Sequence, residues 1–254
     1  MAEKQQGFPT EVVDLPSKGL LYPEGHVLSS GTIEVKYMTA KEEDILTSQN
    51  LIQKGVVLDE LLKSLIASKV TLNELMIGDK NAIMVASRIF GYGKIYSVDT
   101  TCPDCGETEK DCEYDLTTFK HKEIDEKYFK NANIFEYELP QSKRKIEYKF
   151  MTHKDEADAS RDIAKMKKTM GGRTKEVTTR LRKQLVSVDG NKEQAFINNF
   201  VENEFFAMDS RSYRDHYSEH MPDIDFKTAF NCGMCGEISE VELPIAVNFF
   251  WPSR

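Results

Sequence analysis

The sequence predicts an α+β fold made of two related strand–helices–β-hairpin modules, an internal duplication. Three observations carry this reading. Segments of the first half return in the second half in the same order. Within each copy, strand-like alternation gives way to helical spacing. Each copy then closes on a pair of cysteines set between two short strands.

The longest repeat is Lys36-Tyr37-Met38-Thr39-Ala40-Lys41-Glu42-Glu43 against Lys149-Phe150-Met151-Thr152-His153-Lys154-Asp155-Glu156. Ala40 against His153 is its one real change, and the match extends backwards through Ile33-Glu34 and Ile146-Glu147. A second match sets Cys102-Pro103-Asp104-Cys105-Gly106-Glu107 against Cys232-Gly233-Met234-Cys235-Gly236-Glu237. A weaker third sets Leu15-Pro16-Ser17-Lys18 against Leu139-Pro140-Gln141-Ser142-Lys143. Asp79 precedes Cys102 by the interval that separates Asp209 from Cys232, so the copies align without a gap just before the cysteines.

Each element follows from local chemistry. A strand is expected over Thr32 to Met38 and over Lys145 to Met151, running into a helix N-cap at Thr39 or Thr152. Glu42, three residues past Thr39, completes a capping box, and Asp155 is a shorter version that still suits a helix N-terminus. Leu58, Leu61, Leu62, Leu65 and Ile66 form one apolar helix face, with Leu181, Leu185 and Val186 as the counterpart. Asp79 and Asp209 are expected to cap helices over Asn81 to Phe90 and Arg211 to His220. Gly91-Tyr92-Gly93 ends the first of these and Pro222 the second. Strands over Lys94–Thr100 and Glu113–Leu116, and over Asp225–Phe230 and Ser239–Leu243, frame the two cysteine turns.

The resulting organisation is an extended N-terminal arm over residues 1–29, a first module over 30–117, a connector over 118–144 and a second module over 145–254. The first fourteen residues are expected to be flexible. Leu15 to Pro23 mixes turn formers with apolar anchors and reads as an arm lying over a surface.

The cysteines carry the clearest chemistry. Two cysteines two residues apart in a tight turn can point both sulfurs at one ion, and a second such turn completes a tetrahedron. Gly106 and Gly236 follow the second cysteine of each turn and allow the positive φ that wraps N–H groups around sulfur. Cys102, Cys105, Cys232 and Cys235 are therefore expected to hold one structural Zn2+ as a split zinc ribbon near a pseudo-two-fold axis. Four thiolates leave no open position, so the metal is not expected to be catalytic. A thioredoxin-type redox pair would need a strand-to-helix setting, which these turns lack. Cys112 is left over, as a buried thiol or a substitute ligand.

Composition narrows the functional classes. A charged fraction of 30% with 40% hydrophobic residues is that of a globular chain. No apolar run approaches the ~20 residues of a membrane helix. Residues 1–19 lack a secretory apolar stretch, so the expectation is cytoplasmic thiols that bind metal rather than form disulfides. A net charge of −8 disfavours nucleic acid as the main partner.

Other features compete with this assignment. His216-Tyr217-Ser218-Glu219-His220 matches the H-x-x-E-H of a metalloprotease, against a plain polar helix end before Pro222. Lys165, Lys167, Lys168, Arg173, Lys175, Arg180, Arg182 and Lys183 surround Gly171-Gly172 and offer a contact for nucleic acid or an acidic partner, with a solvated helix pair or a protein contact favoured over nucleic acid. No aromatic side chain interrupts them to stack a base. Phe249-Phe250-Trp251-Pro252 either packs on the body or docks into a partner. No phosphate-cradling glycine loop or nucleophile elbow is present.

LPSKGLLYP near the start, the strand into MTAKEED, GDKNAIMVASRIFGYG before CPDCGE, and MDSRSYRDH, MPDID, CGMCGE and LPIAVNFFWP together resemble the baseplate hub proteins of T4-like contractile-tailed bacteriophages. The resemblance spans nearly the whole chain and excludes the Lys165–Lys183 stretch. It implies a non-enzymatic protein acting on other phage baseplate hub proteins in the host cytoplasm during tail assembly. It leaves open a hub subunit that stays in the virion and a hub-assembly chaperone that does not. A zinc-ribbon nucleic-acid-binding protein is the alternative outside this class.

Overall fold

Short strands that pair only with their neighbours leave the burying of apolar surface to helices, and this chain is built that way. The computed structural model describes residues 9–129, 133–169, 174–245 and 247–250. Among them, eight α-helices alternate with nine strands in an α+β order, and the strands form four small antiparallel sheets. In the first half, β1 (Thr10–Asp14) pairs with β2 (Thr32–Lys36). Helices α1 (Ala40–Thr47), α2 (Gln49–Lys54), α3 (Val57–Leu65) and α4 (Ile77–Tyr92) follow, and the half closes on the hairpin of β3 (Ile95–Thr101) and β4 (Thr108–Asp115). In the second half, β5 (Phe135–Glu138) pairs with β6 (Lys145–Tyr148). Helices α5 (His153–Thr169) and α6 (Glu176–Gln184) lead to β7 (Leu185–Val188), which joins the free edge of β6. Then come α7 (Gln194–Asn199), a π-helical turn at Phe200–Glu204, α8 (Ala207–His220) and the hairpin of β8 (Lys227–Asn231) and β9 (Ile238–Glu242).

The expected start signals operate at both α1 and α5. The Glu42 carboxylate accepts from the Thr39 N–H (2.9 Å) and hydroxyl (2.5 Å). Asp155 accepts from the Thr152 N–H and hydroxyl, each at 3.1 Å. The strands before them stop at Lys36 and Tyr148, short of the expected Met38 and Met151, because the chain must turn into the cap. Leu61, Leu62 and Leu65 of α3 are fully buried.

Two lysines aligned by the repeat share a backbone feature. Lys18 and Lys143 both take a left-handed backbone (φ 50 and 58), and their N–H groups donate to Leu15 (2.9 Å) and Leu139 (3.0 Å). Directly after α3, Ile66 bridges Val35; directly after α6, Leu185 pairs with Tyr148. Leu185 and Val186 are thus strand residues, correcting their expected place on a helix, because the β6 edge offers them ladder partners.

Asp79 and Asp209 are not N-caps. Helices α4 and α8 begin earlier, at Ile77 and Ala207, and both carboxylates lie in the first turn, where they fasten a crossing loop. Asp79 accepts from the Ser17 N–H (2.9 Å) and hydroxyl (2.7 Å) and from the Tyr22 hydroxyl (2.6 Å). Asp209 accepts from the N–H groups of Gln141 (2.7 Å) and Ser142 (3.0 Å). Burial pushes Asp79 above the usual carboxylate range despite the hydrogen bonds from Tyr22 and Ser17. At Asp209 burial also pushes upward, but the bonds from Ser142 and Gln141 outweigh it and the net shift is downward.

Residues 10–14 were expected to be flexible; they form β1 and bury Val13. Leu15, Leu21, Tyr22 and Leu28 are likewise core residues, so the anchors of the expected arm are sunk into the body. Residues 1–8 lie outside the described part.

One continuous apolar core runs through both halves, from Val13 to Phe250, so the halves join along it as well as at the cysteines. Backbone bonds seal the same seam: His153 N–H to Leu75 (2.7 Å) and Ile77 N–H to Met151 (3.3 Å). The aromatic end packs on the body as far as it is described. Phe249 and Phe250 are buried, and the buried Arg88 donates to the carbonyls of Phe249 (3.0 Å), Gly93 (3.0 Å) and Ile95 (3.2 Å). Trp251 and Pro252 lie outside the described residues.

At the seam, a Cβ on Gly78 would sit 1.8 Å from the Pro222 carbonyl oxygen, a contact only backbone movement can relieve. Gly78→Ala is expected to destabilise the chain by about 1–3 kcal/mol in urea unfolding, the usual cost of overpacking. An unchanged midpoint would contradict this packing.

Candidate metal centre

The two cysteine turns have the same local form. In the first, the Cys102 N–H bonds the Glu107 carbonyl (2.9 Å) and the Gly106 N–H bonds the Cys102 carbonyl (3.0 Å). In the second, Cys232 bonds Glu237 (3.0 Å) and Gly236 bonds Cys232 (2.8 Å). Gly106 and Gly236 both sit at φ 76, in the left-handed region where a Cβ is strained. The turns join β3 to β4 and β8 to β9, as a knuckle between two strands requires.

The hairpins bring all four sulfurs together. Cys102 Sγ lies 3.8 Å from Cys235 Sγ, and Cys105 Sγ lies 3.7 Å from Cys232 Sγ. All four lie within 4.8 Å of one another. A regular tetrahedron with Zn–S bonds of about 2.3 Å has edges of about 3.8 Å, so the spacing fits four thiolates around one ion. The inner sulfurs belong to Cys102 and Cys232, which are buried; Cys105 and Cys235 face outward.

The thiols differ in acidity. N–H groups of Cys105 and Asp104 stabilise the Cys102 thiolate against burial, and with neighbouring thiols lower its pKa to about 7. The Glu237 N–H lowers Cys235, yet the Cys232 thiol, desolvation and the first-turn thiols push it up to about 12. At Cys105 the Glu107 N–H pulls downward, but desolvation and the adjoining thiols leave a net upward shift. One thiolate forms readily here, and further ones are resisted until a cation offsets their mutual repulsion.

The hairpins also touch through side chains that sequence reasoning missed. Glu109 of β4 accepts from the Gly233 N–H in the opposite turn, and the Ser239 hydroxyl of β9 donates to Asp104 in the first. The only sequence signal for either contact is its polarity.

A family model described as T4 bacteriophage base plate protein matches residues 11–251, nearly the whole chain. The chain belongs to this family. No curated protein and no solved structure matches it.

The remaining candidate residues of this base plate protein fall elsewhere. Cys112 is half-buried, packs against the small cluster of Cys102, Phe230 and Cys232, and donates to the Glu109 carbonyl (3.7 Å). It stands outside the four-sulfur group. His216 is absorbed by an aromatic cluster: its Nε2 lies 3.1 Å from the hydroxyls of both Tyr128 and Tyr148, and its ring stacks on Tyr137 at 4.4 Å. His220 Nδ1 bonds the His216 carbonyl (2.9 Å). In the basic stretch, Arg180 pairs with Glu156 and Glu176, Arg182 and Lys175 with Glu202, and Lys183 with Asp162. Gly171, Gly172 and Arg173 lie outside the described residues. Among the described residues, no helix is long and apolar enough to cross a membrane.

Two outcomes are expected. Gly106→Ala and Gly236→Ala meet no neighbour but strain the turn, so each is expected to cost roughly 1–2 kcal/mol in denaturant titrations; no change would show that the turns relax freely. Burial, with His220 adding to it, holds His216 below the ordinary histidine value. Its folded pKa is lowered, so the stability it supports is present above pH of about 6.5 and declines as pH falls below that value. Thermal melts from pH 7.5 to 5 are expected to show this decline, and His216→Phe to flatten it. An unaltered slope in the variant would refute the assignment.

Proposed function

We propose that this base plate protein is a non-enzymatic component of the phage baseplate hub. It acts in tail assembly through contacts with other hub proteins. One structural Zn2+, held by Cys102, Cys105, Cys232 and Cys235, staples its halves as a split zinc ribbon. The observation that carries this is the meeting of four sulfurs, two from each half, at the spacing of a thiolate tetrahedron. The family match supplies the setting.

Four cysteine ligands saturate a tetrahedral ion, which suits a staple and leaves no position for substrate. The capture of His216 by tyrosines weighs against the protease alternative. The ion pairs of the basic stretch weigh against a nucleic-acid surface, as does the net charge of −8. The matching first-turn carboxylates Asp79 and Asp209 and the matching turns of the two knuckles support reading residues 30–117 and 145–254 as modules of common origin.

Metal analysis of the purified chain is expected to find about one zinc, and fewer than about half an equivalent would overturn the staple. Cys105→Ser and Cys235→Ser are each expected to lower the melting temperature of the whole chain in one transition, since a structural zinc contributes on the order of 10 kcal/mol. Two separate transitions would contradict a shared staple. Mass spectrometry of purified mature particles is expected to find the chain in fixed ratio to hub subunits. Its absence would replace the structural role with that of an assembly factor working in the host cytoplasm.

A further inference from the structure

The net charge of the chain is concentrated in one place. Residues 94–115 and 225–242, which span the two ribbons, hold eleven acidic and three basic side chains. Their balance of −8 equals that of the whole chain, so the rest of the body is neutral. Among the described residues the ribbons form two ion pairs, Lys94 with Asp115 (2.7 Å) and Lys227 with Glu240 (2.8 Å). Most of their carboxylates therefore have no basic partner there.

The second ribbon presents an open face. Lys227, Ala229 and Asn231 of β8 are exposed together with their register partners Glu242, Glu240 and Ile238 of β9. Phe230 and Val241 turn to the cysteine cluster instead. Ile238 is 68% exposed and Met234, in the adjoining turn, 71%, the two highest values among the large apolar side chains described. Single apolar side chains on a surface are ordinary, but two in one knuckle beside the carboxylate of Glu237 have the make-up of an interface, an apolar centre with a charged rim. At the far end of the face, Glu242 and Asp223 line a groove of about 430 Å3 walled by Phe226, Leu243 and Ile245. Asp223 is buried and accepts from Asn81 (3.0 Å) and the Ile224 N–H (2.8 Å). Burial pushes it above the usual carboxylate range, with Glu242 adding to this and Lys122 tempering it. Burial keeps His121 below the ordinary histidine value, so it adds little positive charge. A carboxylate groove with apolar walls suits the stem and head of a lysine or arginine side chain.

The field selects the occupant. A second copy would bring its own acidic ribbons against these, and nucleic acid or an anionic membrane would be repelled in the same way. A cationic partner is attracted. We propose that the outer face of the second ribbon docks a basic segment of a partner protein. An apolar residue of that segment rests on Met234 and Ile238, and its lysine or arginine side chains meet Glu237, Glu242 and the groove at Asp223. The inference rests on the reading of this chain as one that acts through protein contacts, and it names the surface and the chemistry of the partner. A failed titration on the purified chain leaves the particle measurement of that reading untouched, so the two fail separately.

The test is fluorescence anisotropy of a labelled, capped Lys-Lys-Leu-Leu-Lys-Lys peptide titrated with the full chain. Saturable binding is expected. Glu237→Gln/Glu242→Gln is expected to weaken it about fivefold or more, the weight of two exposed ion pairs. Met234→Ser/Ile238→Ser is expected to weaken it by about as much, through lost apolar burial. Glu24→Gln/Asp44→Asn removes the same charge from exposed positions off the ribbons and is expected to bind as the parent. All six positions are exposed, so melting temperature and metal content are expected to match the parent in every variant. The proposal is overturned if no saturable binding occurs, if either ribbon variant binds like the parent, or if the control pair weakens binding as much. Hexalysine binding as tightly as the mixed peptide would reduce the effect to charge alone and overturn it. Displacement of the peptide by Mg2+ at an ionic strength where NaCl has no effect would mark a cation site instead. Self-association of the chain that the ribbon variants abolish would mark a second copy as the occupant, and either result overturns the proposal.

Discussion

Two β-ribbons from opposite halves of the chain meet at a core of only three buried residues, and two of those are cysteines. Phe230 is the third, with Cys112 and Val241 packed alongside. A lone two-stranded ribbon is marginal in water, and this cluster adds little apolar burial. Besides the Glu109–Gly233 and Asp104–Ser239 contacts, what stands at the centre of the junction is the group of four sulfurs. The spread of their acidities gives the same picture: Cys102 ionises at about 7 while Cys235 is pushed up to about 12. Thiolates crowded at 3.7–3.8 Å repel one another unless a cation lies among them. A structural zinc in a four-thiolate site contributes energy comparable to the whole stability of an ordinary domain.

Away from the ribbons, different forces hold the halves. The main core is continuous, and its polar fastenings are few and specific. Asp79 binds the loop at Ser17 and Tyr22, Asp209 binds the loop at Gln141, and Arg88 grips the backbone at Phe249. Each satisfies backbone or hydroxyl groups that burial would otherwise leave unpaired. The result is a body whose two halves are tied into one core by a handful of buried polar contacts.

Local chemistry was legible in the sequence. The C-x-x-C-G-E spacing sets the knuckle geometry by itself, and Thr39 with Glu42 writes a helix start within four residues. The repeat located the ribbons, and Gly106 and Gly236 took the backbone their positions require. Long-range partnerships were not legible. Asp79 and Asp209 look like helix caps because their true partners lie 62 and 68 residues away. Arg88 and Phe249 are separated by 161 residues. His216 and His220 had metal-ligand spacing, but the tyrosines that absorb His216 come from β6 and from the segment before β5. The basic run displayed its charges without showing that Lys175, Arg180, Arg182 and Lys183 would pair with Glu202, Glu156, Glu176 and Asp162. In each case the deciding term was a contact made by folding, which no spacing rule contains.

The central claim is that Cys102, Cys105, Cys232 and Cys235 together form one coordination sphere. X-ray absorption spectroscopy at the zinc edge of the purified chain reads that sphere directly. The account predicts a single shell of four sulfur scatterers at about 2.3 Å. A shell of mixed sulfur and nitrogen or oxygen, or one with only two sulfurs, would contradict it.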